Sequence, residues 1–227
     1  MNNLKLLVLG ASGNTGRRLV EMALARGHQV TAIVRATAIL PDRDGLRVVI
    51  GDVLDPTILK EASYSVDAIV SCLGIRKENP SDPWSRLISP EDFTERSAQL
   101  ASDAMKLNGI KRLVAISSAG IGDSWSSVDP ELQHVIETSN VGKIFEDLNK
   151  MEEALTKSGL DTLALRPVAV VDGEVSGRAG LVERFDKGSK IMTGDIAKWI
   201  LDAVERPEAF RSRHEMIGTV SPDPAAL

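Results

Sequence analysis

Three glycines in the run Gly10-Ala-Ser-Gly13-Asn-Thr-Gly16 have the plainest chemical meaning in this chain. Between a strand and a helix, such a run brings backbone N–H groups up to a phosphate. Gly10 allows the tight turn, Gly13 lets the backbone approach a pyrophosphate, and Gly16 lets helix and strand pack closely. The spacing is G-x-x-G-x-x-G rather than G-x-G-x-x-G, so the flanking strand and helix give the motif its meaning. It predicts a dinucleotide. Arg35 follows Ile33-Val34, where the adenosine ribose is met in this architecture. An acid there accepts from a ribose 2′-OH, whereas an arginine suits a 2′-phosphate through paired hydrogen bonds. NADPH is therefore favoured over NADH.

Further along stand Gly51-Asp52-Val53, Leu73-Gly74 and Ser117-Ser118-Ala119-Gly120. Asp52 is either an acceptor for the adenine amino group or a plain turn residue. Gly74, with no Cβ, permits a cofactor to pass closely. A hydroxyl of Ser117 or Ser118 either orients a carbonyl or carboxamide, or serves a local turn.

These positions need elements to hold them. Apolar runs at 4–9, 29–34, 46–50, 67–73, 111–117 and 161–166 read as strands, with a weak last strand at 215–218. Helical periods cover 15–26, 90–107, 141–157 and 196–205, with Asn108-Gly109 and Ser158-Gly159 as helix ends. Strands that are continuously apolar are buried on both faces, which marks a parallel sheet covered by helices. The expectation is an α/β Rossmann-type doubly wound parallel sheet, order 3-2-1-4-5-6. It forms one domain over 1–227, with 168–227 contributing a small C-terminal substrate lobe. Loops 75–90 and 119–140, the second holding Trp125 and His134, follow strand ends where ligands bind in such sheets.

Composition removes other classes. The 227 residues carry a net charge of −5 without a basic block, which speaks against nucleic acid. One cysteine, Cys72, excludes a disulfide framework and a Cys-rich metal site, and fits a cytoplasmic protein. No stretch reads as a membrane span. A small-molecule substrate is the expected partner, and monomer and homodimer stay open.

Gly10–Gly16, Arg35, Asp52-Val53, Leu73-Gly74, Ser117-Ser118, Lys150, Ser158-Gly159-Leu160, Arg166-Pro167 and Asp195-Ile196-Ala197 stand in one recognisable order. With them the chain resembles the atypical short-chain dehydrogenases/reductases of the NAD(P)H-binding, NmrA-like group. Cys72-Leu73-Gly74-Ile75-Arg76 is especially similar to the biliverdin reductase B, or flavin reductase, branch. The resemblance implies that Gly10, Ser12, Gly13, Asn14, Thr15, Gly16, Arg35, Asp52, Val53, Leu73 and Gly74 hold NADP. It implies a catalytic side built from Ser117, Ser118 and Lys150, with Lys150 bonding the nicotinamide ribose or standing as an ordinary helix lysine. Asp195 is expected to cap the helix starting at Ile196.

One departure shapes the chemistry. The group's standard mechanism uses Tyr-x-x-x-Lys, but Glu146 precedes Lys150 by four residues, and the one tyrosine is Tyr64. Conjugated acceptors such as flavins or quinones need no such proton donor, because they accept hydride at an electron-poor atom and take a proton from water. The same absence suits an NmrA-like NADP(H)-binding sensor without turnover.

Overall fold

Every strand read from an apolar run forms in the computed structural model, which describes residues 3–38 and 40–220. In chain order the elements are β1 (Lys5–Leu9), α1 (Asn14–Ala25), β2 (Gln29–Val34), β3 (Leu46–Ile50), α2 (Pro56–Ala62), β4 (Ala68–Ser71), α3 (Phe93–Asn108) and β5 (Arg112–Ile116). They continue as α4 (Pro130–Thr138), α5 (Val141–Lys157), β6 (Asp161–Pro167), β7 (Ala169–Val171), β8 (Ala179–Leu181), β9 (Lys190–Met192), α6 (Thr193–Val204) and β10 (His214–Thr219). The main sheet runs β3-β2-β1-β4-β5-β6-β10-β8. The expected 3-2-1-4-5-6 order is present, extended by parallel β10 and antiparallel β8.

Alternation along each strand feeds two cores. Leu6 and Val8 turn to one face with Leu19 of α1 and Ile196 and Ile200 of α6. Leu7 and Leu9 turn to the other, with Leu59 of α2, Met105 of α3 and Met151 of α5. All are fully or almost fully withdrawn from solvent. Period-2 side-chain direction and cover on both sides explain why the strands read as unbroken apolar runs.

The expected substrate lobe is mostly part of this sheet. β10, β8 and α6 complete the main layers, while β7 and β9 form a separate two-stranded parallel pair. Residues 221–227 of that expected lobe lie outside the described residues. Two short helices escape the periodicity argument, α2 and α4. Each opens with Asp-Pro: Asp55 and Asp129 accept backbone N–H bonds at the N-cap, and Pro56 and Pro130 take the first helical turn. α6 begins at Thr193, three residues earlier than expected. Asp195 therefore does not cap it. Buried in the first turn, it accepts from Ser176 N–H (2.9 Å), Ser176 Oγ (2.6 Å) and Gly177 N–H (3.2 Å), tying down the loop after β7.

Asp147 performs a similar task at a distance. It is buried on α5 and accepts from the N–H groups of Thr94 (2.9 Å) and Glu95 (3.0 Å) and from Thr94 Oγ1 (2.5 Å). One carboxylate thus caps the start of α3 from a neighbouring helix, satisfying amides that no residue of α3 reaches. Among the described residues, no helix is long and apolar enough to cross a membrane.

Candidate functional site

The loop between β1 and α1 is shaped by backbone contacts that leave no room for side chains. Gly10 has φ +78°, and a Cβ on it would stand 2.7 Å from the Cys72 carbonyl oxygen. A Cβ on Gly16 would meet the Gly10 carbonyl oxygen at 2.2 Å. These two glycines are demanded by packing. Gly13 is different: a Cβ there would find the Gly10 carbonyl oxygen at 3.4 Å, ordinary van der Waals contact. It is the N-cap of α1 in extended conformation, with no capping side chain and no acid in the first turn. Asn14, Thr15 and Gly16 make that turn, so the positive end of α1 is left open.

In front of this loop lies a cleft of about 500 Å³ at the carboxyl ends of the strands. Gly10, Ser12 and Gly13 line one side, Arg35, Asp52 and Val53 another, and Leu73 and Gly74 the floor by β4. Residues far apart in the chain are brought together because β3, β2, β1 and β4 are neighbours. Arg35 is exposed and has no carboxylate partner among the described residues. A Cβ on Gly74 would meet nothing within 4 Å. Asp52 Oδ1 accepts from Leu54 N–H at 2.9 Å, the bond of a turn residue. Cys72 also lines the cleft, and burial pushes its thiol up to about 12, so it stays neutral there.

A pyrophosphate-bearing nucleotide suits these features: an uncapped helix N-terminus, an unneutralised guanidinium, and a glycine whose missing side chain no protein atom requires. Loop 75–90, expected near a ligand because it follows a strand end, supplies one wall. Arg76, Ile88 and Ser89 line the cleft from a hairpin inside loop 75–90, in which Lys77 and Leu87 pair antiparallel. The hairpin docks through Trp84 Nε1 to the Thr138 carbonyl (3.0 Å) and Asn140 Nδ2 to the Trp84 carbonyl (2.8 Å).

The residues expected on the catalytic side are not among those lining this cleft. Ser117 is buried, its hydroxyl donated to Glu152 at 2.5 Å. Ser118 is half-buried and donates to the adjacent Ala119 carbonyl at 3.0 Å. Lys150 lies on α5 and is exposed, with Nζ on Glu146 Oε1 at 2.6 Å. That pair raises the lysine and holds the glutamate below its ordinary value, so Glu146 stays ionised and is no proton donor near neutrality. Tyr64 is 74% exposed and borders the strand starts, at the opposite edge of the sheet. His134 is exposed on α4, and Trp125 packs edge-on against Phe145 at 6.5 Å between ring centres. Among the described residues no cluster of three His, Cys, Asp or Glu could hold a metal.

Comparison with known proteins adds a lineage to this geometry. A model of the NAD(P)H-binding family matches residues 10–207. A 3-diazoavenalumate denitrifying reductase from a Streptomyces species is 34% identical over 121 residues, 51% of this chain and 38% of that protein. The photosystem II assembly factor Ycf39 of Synechocystis is 23% identical over 95% of the chain and 63% of its own length. The chain thus spans less than two thirds of these curated relatives. Among solved structures, ChuY, an anaerobilin reductase from Escherichia coli O157:H7, superposes with a TM-score of 0.75. It is 22% identical over 97% of this chain and 99% of that one, a likeness of fold.

Proposed function

The chain belongs to the NAD(P)H-binding family, and from that premise we propose that it is an NADPH-dependent reductase delivering hydride to a small conjugated acceptor such as a flavin or quinone. The observation that carries the reading is the cleft itself, open at the α1 N-terminus and supplied with Arg35, which no carboxylate pairs among the described residues. In this reading the α1 amides and Gly13 bind the pyrophosphate, and Arg35 binds a 2′-phosphate. Val53 and Asp52 flank the adenine, while Gly74 leaves the space the dinucleotide occupies. When bound, a reduced nicotinamide supplies hydride. The protein's own contribution is placement, since among the described residues the cleft holds no tyrosine, and its carboxylate, Asp52, is a turn residue on the adenine side bonded to Leu54 N–H. The names of the reductases met in the comparisons support the class and leave the acceptor open. Within the family, the NmrA-like and biliverdin reductase B likeness is part of the same proposal, as is a cytoplasmic setting.

A second reading has its own support: Lys150 is engaged by Glu146 and solvent-exposed, as in an NADP(H) sensor that needs no turnover. Mixing the protein with NADPH and a panel of flavins, quinones and enones, while following the nicotinamide absorbance, separates the two. Oxidation that depends on protein and acceptor supports the reductase. Tight NADPH binding with no oxidation across the panel supports the sensor.

A further inference from the structure

Arg166 is the one buried arginine or lysine among the described residues, and it sits at the end of a strand rather than in either apolar core. Its Nε and Nη2 grip the Glu152 carboxylate at 3.0 and 2.6 Å, and Nη1 reaches Asp123 at 2.6 Å. Glu152 also accepts the Ser117 hydroxyl at 2.5 Å. Asp123 has a further neighbour in His214 Nε2 at 3.3 Å. Four elements meet here: α5, β6, β10 and the 3₁₀ turn at Gly122–Ser127.

The partners bracket one short segment. Ser117 stands just before it and Asp123 just after it. Between them Ser118–Gly122 reverses direction, with Gly120 at φ +91° and Gly122 at φ +56°. The backbone adds two ladder bonds at its entry, Ser117 N–H to the Leu165 carbonyl (2.7 Å) and Ala119 N–H to the Pro167 carbonyl (2.9 Å). An apolar pair could fill the volume of Arg166 and Glu152 at no loss of stability. It could not grip two points of a loop at once. A forked guanidinium can, because its donors leave in fixed directions.

We infer that Arg166 and Glu152 are positioning residues, acting through Ser117 and Asp123 to hold Ser118–Gly122 as a rigid rim at the end of β5. That strand lies next to β4 at the floor of the cleft, where a nicotinamide reaching past Gly74 would meet the rim. The inference rests on the reductase reading for its catalytic consequence and on the geometry alone for the rigid rim. Ser117 is accordingly a fastening point and not a group that touches the acceptor.

Two measurements on the full chain test this. Hydrogen exchange without cofactor reads the rim, and steady-state NADPH oxidation with FMN and with menadione reads its consequence. Ser117→Ala spares the ion pair, and it is expected to raise exchange across 118–122 about tenfold while core amides stay unchanged. It should lower kcat about tenfold, with KM and NADPH affinity within about twofold. Glu152→Gln keeps an acceptor for Ser117 and should fall between the parent and Glu152→Ala. Ser117→Ala combined with Glu152→Ala should be no worse than Glu152→Ala alone, because both cut one link. Unchanged exchange in 118–122, or exchange rising equally over the whole domain, overturns the rim. Losses in kcat that multiply in the double variant also overturn it, by giving Ser117 a direct role. A parent that binds NADPH and passes no hydride removes the reductase reading, and the exchange result then decides the rim.

Discussion

The glycine-loop cleft and the Arg166 corner both sit at the carboxyl ends of strands, yet they are finished in opposite ways. At the cleft, cationic and N–H groups lack partners among the described residues: Arg35 pairs with no carboxylate there, the α1 N-terminus has no capping side chain, and Gly74 faces open space. At the corner all three guanidinium nitrogens of Arg166 are engaged, by Glu152 and Asp123, and the Ser117 hydroxyl by Glu152. The groups at the cleft are exposed, so an anion can take them up without breaking a bond within the protein, and the cleft is open to receive one. Arg166, Ser117 and Glu152 are withdrawn from solvent while Asp123 is exposed, and the two-point grip of the buried guanidinium specifies one arrangement, so the corner is built to hold. Ser117 belongs to the corner, bonded to Glu152, whereas Lys150 belongs to neither region and pairs with Glu146 on the exposed face of α5.

The division can be broken by experiment, beginning with the glycines. Gly16→Ala drives a Cβ into the Gly10 carbonyl oxygen and should cost more than about 3 kcal/mol of unfolding free energy, measured in urea. Losses under about 1 kcal/mol would mean that the loop relaxes and is not set by packing. Asp147→Ala leaves the buried donors at the start of α3 unpaired and should cost about 2–3 kcal/mol. Gly74→Ala sharpens the contrast: stability should change by less than about 0.5 kcal/mol, while NADPH affinity falls about tenfold. Unaltered affinity would show that the space beside Gly74 is not where a dinucleotide lies.

The smallest effect is on pH. Burial pushes Glu215 up, but hydrogen bonds from Arg206 and Trp199 outweigh it and hold the carboxyl below its ordinary 4.5. A carboxyl lowered on folding stabilises the protein above the unfolded value, and that contribution is lost as pH falls through the folded one. Stability should therefore decline below about pH 4.5 by up to about 1 kcal/mol from this pair, a figure kept small by partial exposure. Arg206→Met should flatten that part of the acid limb, and an unchanged limb would assign the decline to other carboxylates.

Legibility in the sequence follows the range of the interactions. Strands β1, β2, β4, β5 and β6 were readable because unbroken apolar runs betray burial, while β3, the edge strand, keeps an apolar run with Val48 and Ile50 exposed. Gly109 ends α3 with a left-handed φ of 67°. The glycine loop, Arg35 and Asp52 were readable because each follows a strand in a fixed order, and the sheet gathers strand ends. α2 and α4 carried a local signal in Asp55-Pro56 and Asp129-Pro130, too short for a periodicity argument. Asp195 was misread because a cap and a first-turn residue differ by three positions. The corner was not readable: Ser117, Asp123, Glu152 and Arg166 come from separate elements, and only the tertiary fold makes them neighbours. The position of loop 75–90 after a strand end was legible, whereas its hairpin form, fastened by Trp84 to the end of α4, was not.

The account stands most directly on calorimetric titration of the protein with NADPH and with NADH, repeated on Arg35→Ala. It predicts that the parent binds NADPH at least about tenfold more tightly than NADH. The substitution should erase that difference by weakening NADPH alone, by about 1–3 kcal/mol. Equal affinities in the parent, or equal losses for both nucleotides in the variant, would contradict it.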